Sequence, residues 1–66
     1  MKLTVKQARV GANLTQREVA DALEIHENTY RKLEENPEGF TMGRAEAFAA
    51  IVGVDMNDIL WAKTKV

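Results

Sequence analysis

The chain has no cysteine among its 66 residues, which excludes a disulfide staple and a thiolate metal site. It has one histidine, His26, and a lone imidazole without several partners builds no metal centre. The one proline, Pro37, lies in Glu35-Asn36-Pro37-Glu38-Gly39 and marks a break between two halves, not a Pro-rich linker. No apolar run approaches the ~18 residues of a membrane span, and no signal-peptide pattern opens the sequence, so a soluble, intracellular protein is expected. Charge of one sign is lacking too. Nine Lys and Arg stand against ten Asp and Glu, a net charge of −1, so a nucleic-acid role must rest on local pattern and not on global attraction. No acid, base and nucleophile cluster, no Gly-rich phosphate loop and no metal-ligand spacing is visible. The expectation is a protein that is not an enzyme and needs no cofactor or metal.

A chain of this length forms one domain, here residues 1–66, with no repeat or low-complexity segment. It buries only about 60% of the surface its unfolded form exposes, so its stability is modest. The residues that are present favour helices. Apolar positions recur at three and four, and Ala, Glu, Leu and Arg fill the intervals. Strands are poorly supported. Five short helices follow from start and stop signals. Thr4-Val5-Lys6-Gln7 and Thr15-Gln16-Arg17-Glu18 both have capping-box form, in which a Thr hydroxyl and a Gln or Glu side chain satisfy amides reciprocally. The first helix stops near Asn13, a residue that tolerates left-handed geometry. A third helix begins near His26 or Glu27, turns Tyr30 and Leu33 inward, and ends before Pro37. Thr41 caps a fourth, which carries Ala45, Phe48, Ala49 and Val52 and stops at Gly53. Asp55-Met56-Asn57-Asp58 is expected to cap a fifth, with Ile59 and Leu60 inward. The tail Lys63-Thr64-Lys65 is expected to be a flexible basic end.

The informative stretch runs from Leu14 to Glu34: a capped helix, a small Ala20 where two helices approach closely, a short turn closed by Ile25, then a second helix. This is the layout of a helix-turn-helix, whose second helix can enter a major groove. The stretch resembles the lambda-repressor and Cro family, also called XRE-type, whose pattern reads Leu-Thr-Gln-x-Glu-Leu-Ala-x-x-Leu-Gly-Val-Ser-x-x-Thr-Ile-x-x-Ile-Glu. Leu14, Thr15, Gln16, Glu18, Ala20, Leu23, Thr29 and Glu34 match, and Val19, Ile25 and Leu33 are apolar equivalents. Arg9 stands where the family places an arginine on its first helix, and the run from Phe48 to Met56 is similar to the family's Leu-Ala-x-x-Leu-Gly-Val-Ser-Leu. The resemblance covers about residues 3–60. It implies an all-α, five-helix lambda-repressor-like domain with helices 2 and 3 as the helix-turn-helix. Three residues depart from the pattern. Glu24 replaces the turn glycine, where left-handed geometry is strained. His26 replaces a Ser cap, a change worth about 1 kcal/mol. Tyr30 replaces a β-branched core residue, so its hydroxyl must find the surface or a partner.

The resemblance assigns roles to single residues. The recognition helix, about residues 27–35, offers Asn28 and Lys32, four apart on one face, for base edges: Asn pairs with adenine and Lys donates to guanine. Glu27 and His26 are further candidate base contacts, although a carboxylate close to phosphates is repelled. Gln16, Arg17, Thr29, Arg31 and Arg44 are candidate backbone contacts, with Lys6 beside them, and the resemblance implies that Gln16 also braces the recognition helix. The loop amides of residues 40–43 can also receive phosphate. Arg9 and Glu34 look like the family's structural ion pair between the first and third helices, a guanidinium held by a carboxylate. Leu60 and Trp61 are candidates for a dimer contact, against the alternative that Trp61 lies as a lid on the core. Two functions follow. One is a sequence-specific duplex-DNA-binding transcription regulator of Cro or repressor type, bacterial, cytoplasmic and of phage or mobile-element origin, reading a pseudo-palindromic operator, with a homodimer formed on it. The other, favoured by the near-neutral charge and the acids Glu34, Glu35 and Glu38, is a protein-binding module, an antirepressor or antitoxin-like partner of a second regulator.

Overall fold

The computed structural model describes residues 2–62; the basic tail expected at 63–65 lies outside them. Four α-helices carry the fold: α1 (Val5–Gly11), α2 (Gln16–Leu23), α3 (Glu27–Glu35) and α4 (Met42–Val52). Single 3₁₀ turns follow α3 at Pro37–Gly39 and α4 at Met56–Asp58. Both capping boxes form. Thr4 and Gln7 exchange hydrogen bonds of 3.0 and 2.9 Å, and Thr15 and Glu18 exchange bonds of 3.1 and 2.8 Å. Thr41 caps α4, and Gly53 ends it in left-handed geometry, as the sequence predicts.

The expected fifth helix is absent, and two short strands stand in the described residues. Asp55 does cap, accepting from the Asn57 amide at 2.8 Å, but the turn it starts lasts only from Met56 to Asp58. The chain then extends as β2 (Ile59–Leu60) and pairs in parallel with β1 (Leu3–Thr4), Leu3 opposite Ile59 and Thr4 opposite Leu60. The physical reason is cooperative. A further turn of helix here would fix several residues for few hydrogen bonds, whereas the extended form meets a ready partner in the strand leading into α1. It also drives Ile59 into the core, where it is almost fully buried with Val5, Val19, Ala20, Tyr30 and Phe48.

Aromatic residues are few, and the four present form one cluster. The Phe48 ring lies 6.3 Å from Tyr30, 5.6 Å from Phe40 and 6.0 Å from Trp61, and Phe40 and Trp61 meet edge to face at 5.0 Å. Trp61 is half-buried, and its indole N–H donates to the Met56 carbonyl at 3.1 Å. It is therefore a lid over Phe40 and the middle of α4.

Between α2 and α3 the turn is made as the sequence requires. Glu24 takes left-handed geometry, φ 59° and ψ 40°, and the Ile25 amide donates back to the Ala20 carbonyl at 3.0 Å. Ala20 and Val19 are fully buried there, so the two helices cross closely. A side chain in the left-handed region costs about 1–2 kcal/mol, and glycine gives back about 0.5–1 kcal/mol through chain entropy. Glu24→Gly is thus expected to stabilise the domain by about 0.5–1 kcal/mol, a rise in melting temperature of several degrees for a chain this size. A lower melting temperature would mean that the Glu24 side chain compensates for its own strain.

Candidate nucleic-acid interface

The third helix is held by one carboxylate. Glu34 lies on the side of α3 that faces α1 and α2, its side chain only 6% exposed, and receives a hydrogen bond from each neighbouring element. Arg9 Nε of α1 donates to Oε2, Gln16 Nε2 of α2 donates to Oε1 at 3.0 Å, and the Tyr30 hydroxyl, one turn back, donates to Oε2 at 2.7 Å. Arg9, 11% exposed, uses Nη1 on the Leu14 carbonyl at 2.8 Å and so also ties down the entry to α2. The expected pair between the first and third helices is present, and Tyr30 has the hydroxyl partner that its burial demands.

This cluster is charged by design of its donors. Burial works against ionisation of Glu34, but the hydrogen bonds from Arg9, Gln16 and Tyr30 together outweigh it and hold the carboxyl below the usual glutamate range. Its hydrogen bond raises Arg9 against burial. Burial first, then the bond to Glu34, pushes the Tyr30 phenol far above its ordinary range, so it remains a donor.

Around that anchor the outer face of α3 is fixed in rotation. Tyr30 and Leu33 point into the core. At 100° per residue, Glu27, Arg31, Glu35, Asn28 and Lys32 then share one arc of about 140° on the opposite side. Asn28, Arg31, Lys32 and Thr29 are exposed and Glu27 is half-buried. His26 caps the helix as expected, Nδ1 accepting from the Asn28 amide, but the bond is long at 3.4 Å. Gln16, Arg17 and Glu27 come together along one shallow cleft with Arg9, Asn13, Leu14 and Thr15. Gln16 and Arg31 line a second with Lys6, Glu34 and Glu35. Arg44 is exposed in the first turn of α4, its amide capped by Thr41 at 3.3 Å. Leu60 is half-buried in β2.

Gln16 thus does two things. Its nitrogen braces Glu34 and its oxygen faces Arg31 Nε at 3.5 Å. The family resemblance implies that Gln16 braces the recognition helix, as its bond to Glu34 does, but the links of Arg31 are not singled out by the sequence. The only local signal was spacing, since Arg31 lies four and three residues after Glu27 and Asn28.

A family model of the helix-turn-helix matches residues 5–59, which takes in all four helices and the cluster around Glu34. The chain belongs to the XRE-type helix-turn-helix family. The lambda repressor and Cro are its familiar members, and its domains are DNA-binding regulator domains, typically without enzymatic activity. Comparison with curated proteins and with solved structures returns no match. Among the described residues, no helix of this helix-turn-helix domain is long and apolar enough to cross a membrane.

Proposed function

We propose that this helix-turn-helix protein is a sequence-specific transcription regulator of Cro or repressor type that lays α3 in the major groove of duplex DNA. The observation that carries this reading is the outer arc of α3. It presents Asn28, Arg31 and Lys32 to solvent, with the acids Glu27 and Glu35 on the same arc, and Glu34 fixes its rotation from behind. In this reading Asn28 and Lys32 read base edges, with Glu27 and His26 beside them, while Arg17, Thr29, Gln16 and Arg44 contact the phosphate backbone. Arg31 differs from these, since its guanidinium already has partners within the protein.

One recognition helix reads only a few base pairs, too little to define a site in a genome. Two copies on a pseudo-palindrome, with their α3 helices about one DNA turn or ~34 Å apart, supply the rest. A two-fold contact through the C-terminal half, using Leu60 and Trp61, is consistent with their half-burial. The origin in a phage or mobile element and the bacterial cytoplasmic setting belong to the same proposal.

Titration against a random pool of DNA duplexes, repeated over a salt series, tests the reading. The cationic phosphate contacts, Arg17 and Arg44 with Lys6 beside them, predict a slope of log K against log [salt] of about −0.9 for each. Absence of binding to any duplex at low salt would refute it and favour the protein-binding module.

A further inference from the structure

Arg31 is the most heavily engaged side chain on the outer face of α3. Its three kinds of nitrogen go to three different residues: Nε to Gln16 Oε1 at 3.5 Å, Nη1 to Asn28 Oδ1 at 3.2 Å and Nη2 to Glu27 Oε2 at 3.4 Å. A guanidinium is donor-only. The Asn28 amide must therefore turn its oxygen to Arg31, and its NH₂ group is left facing outward. The charge of Glu27, which a DNA phosphate repels, is partly offset by the same guanidinium. Because Gln16 is also bonded to Glu34, a continuous chain of hydrogen bonds runs from the buried Arg9–Glu34 pair through Gln16 to the tip of the recognition helix.

We propose that Arg31 is a positioning residue that sets base preference, acting through Asn28 and Glu27, and is not a phosphate contact. The inference rests on the DNA-binding reading above. Three consequences follow. An Asn28 amide locked in one orientation presents a defined donor to acceptors such as the N7 and O6 of guanine or the N7 of adenine, whereas a free amide flips and discriminates less. A Glu27 whose charge is partly offset by Arg31 can approach the groove edge and accept from the N4 of cytosine. The charge of Arg31 is already matched by Glu27, so it adds little to counterion release. The pair is exposed, 50% at Arg31 and 39% at Glu27, and so contributes little to folding.

Arg31→Lys separates this from a phosphate role. Lysine keeps the positive charge but replaces the planar three-way fork with a point charge. Base preference is read by selection from a random duplex pool, and affinity for non-selected DNA by titration over salt. The expected result is a fall of about tenfold or more in preference at the base pair read by Asn28, with the salt slope, non-selected affinity and melting temperature nearly unchanged. In an Asn28→Ala background Arg31→Lys is expected to cause little further loss of preference at that base pair, because Arg31 acts there through Asn28. Unchanged preference in Arg31→Lys, together with Arg31→Met weakening all duplexes equally and flattening the salt slope by about 0.9, would make Arg31 a phosphate contact and overturn the proposal. Failure of the unmodified protein to bind any duplex overturns the DNA-binding reading itself. Binding with Arg31→Lys unchanged overturns only the role given to Arg31.

Discussion

Glu34→Ala is expected to destabilise the domain by about 3–5 kcal/mol, the cost of leaving a buried charge without its partner. The side chains of Arg9 and Glu34 are 11% and 6% exposed, which places the pair in the buried and not the surface regime. The substitution also strands the donors of Gln16 and Tyr30, both of which end on the same carboxylate. A domain of 66 residues has a total stability of roughly 3–10 kcal/mol, so this one change removes much of it. Urea unfolding checks the result. A loss under about 1 kcal/mol would mean that the pair behaves as an exposed one.

The same cluster sets an acid limit. The Glu34 carboxyl is held below its ordinary value, so the folded state binds its proton more weakly than the unfolded chain does. Its stabilisation is fully present above the unfolded value, about pH 4.3, and is lost as pH falls through the lower folded value. Glu34→Gln has no proton to gain and flattens that part of the stability curve.

Trp61→Ala is expected to cost about 2–3 kcal/mol, less than a fully buried tryptophan because the residue is only half-buried. The loss removes edge-to-face contacts with Phe40 and Phe48 and the indole bond to the Met56 carbonyl. It also opens the aromatic cluster to water. Melting temperature and operator binding are read on the same variant. Under the proposed two-fold contact through Trp61, the variant also binds a full palindrome with weaker cooperativity while half-site binding is retained. An unchanged melting temperature would contradict the lid position.

How far the sequence reaches is clear from these residues. The helix-turn-helix is legible because its signals are local: Thr15 and Glu18 cap α2, Ala20 allows close approach, Ile25 closes the turn, and Tyr30 and Leu33 fix the inner face of α3. The pair of Arg9 and Glu34 is legible through the family resemblance, and the left-handed turn at Glu24 follows from the missing glycine. The end of the chain is not. Ile59, Leu60 and Trp61 follow a good cap, and three apolar residues in a row fit helix and strand periods equally. What decides between them is Leu3–Thr4 at the opposite end of the chain, a pairing with no local trace. The links of Arg31 to Gln16, Asn28 and Glu27 are hidden for a related reason, since they depend on how α2 and α3 cross.

The reading of DNA by α3 is tested most directly at Lys32, exposed on the arc beside Asn28. Binding of Lys32→Ala is measured against the duplex selected from a random pool and against non-selected duplex at one salt concentration. Base readout predicts a loss of about 1–3 kcal/mol on the selected site, or roughly 5- to 150-fold, and a smaller loss elsewhere. An equal loss on both would contradict base readout by this residue and reduce Lys32 to a phosphate contact.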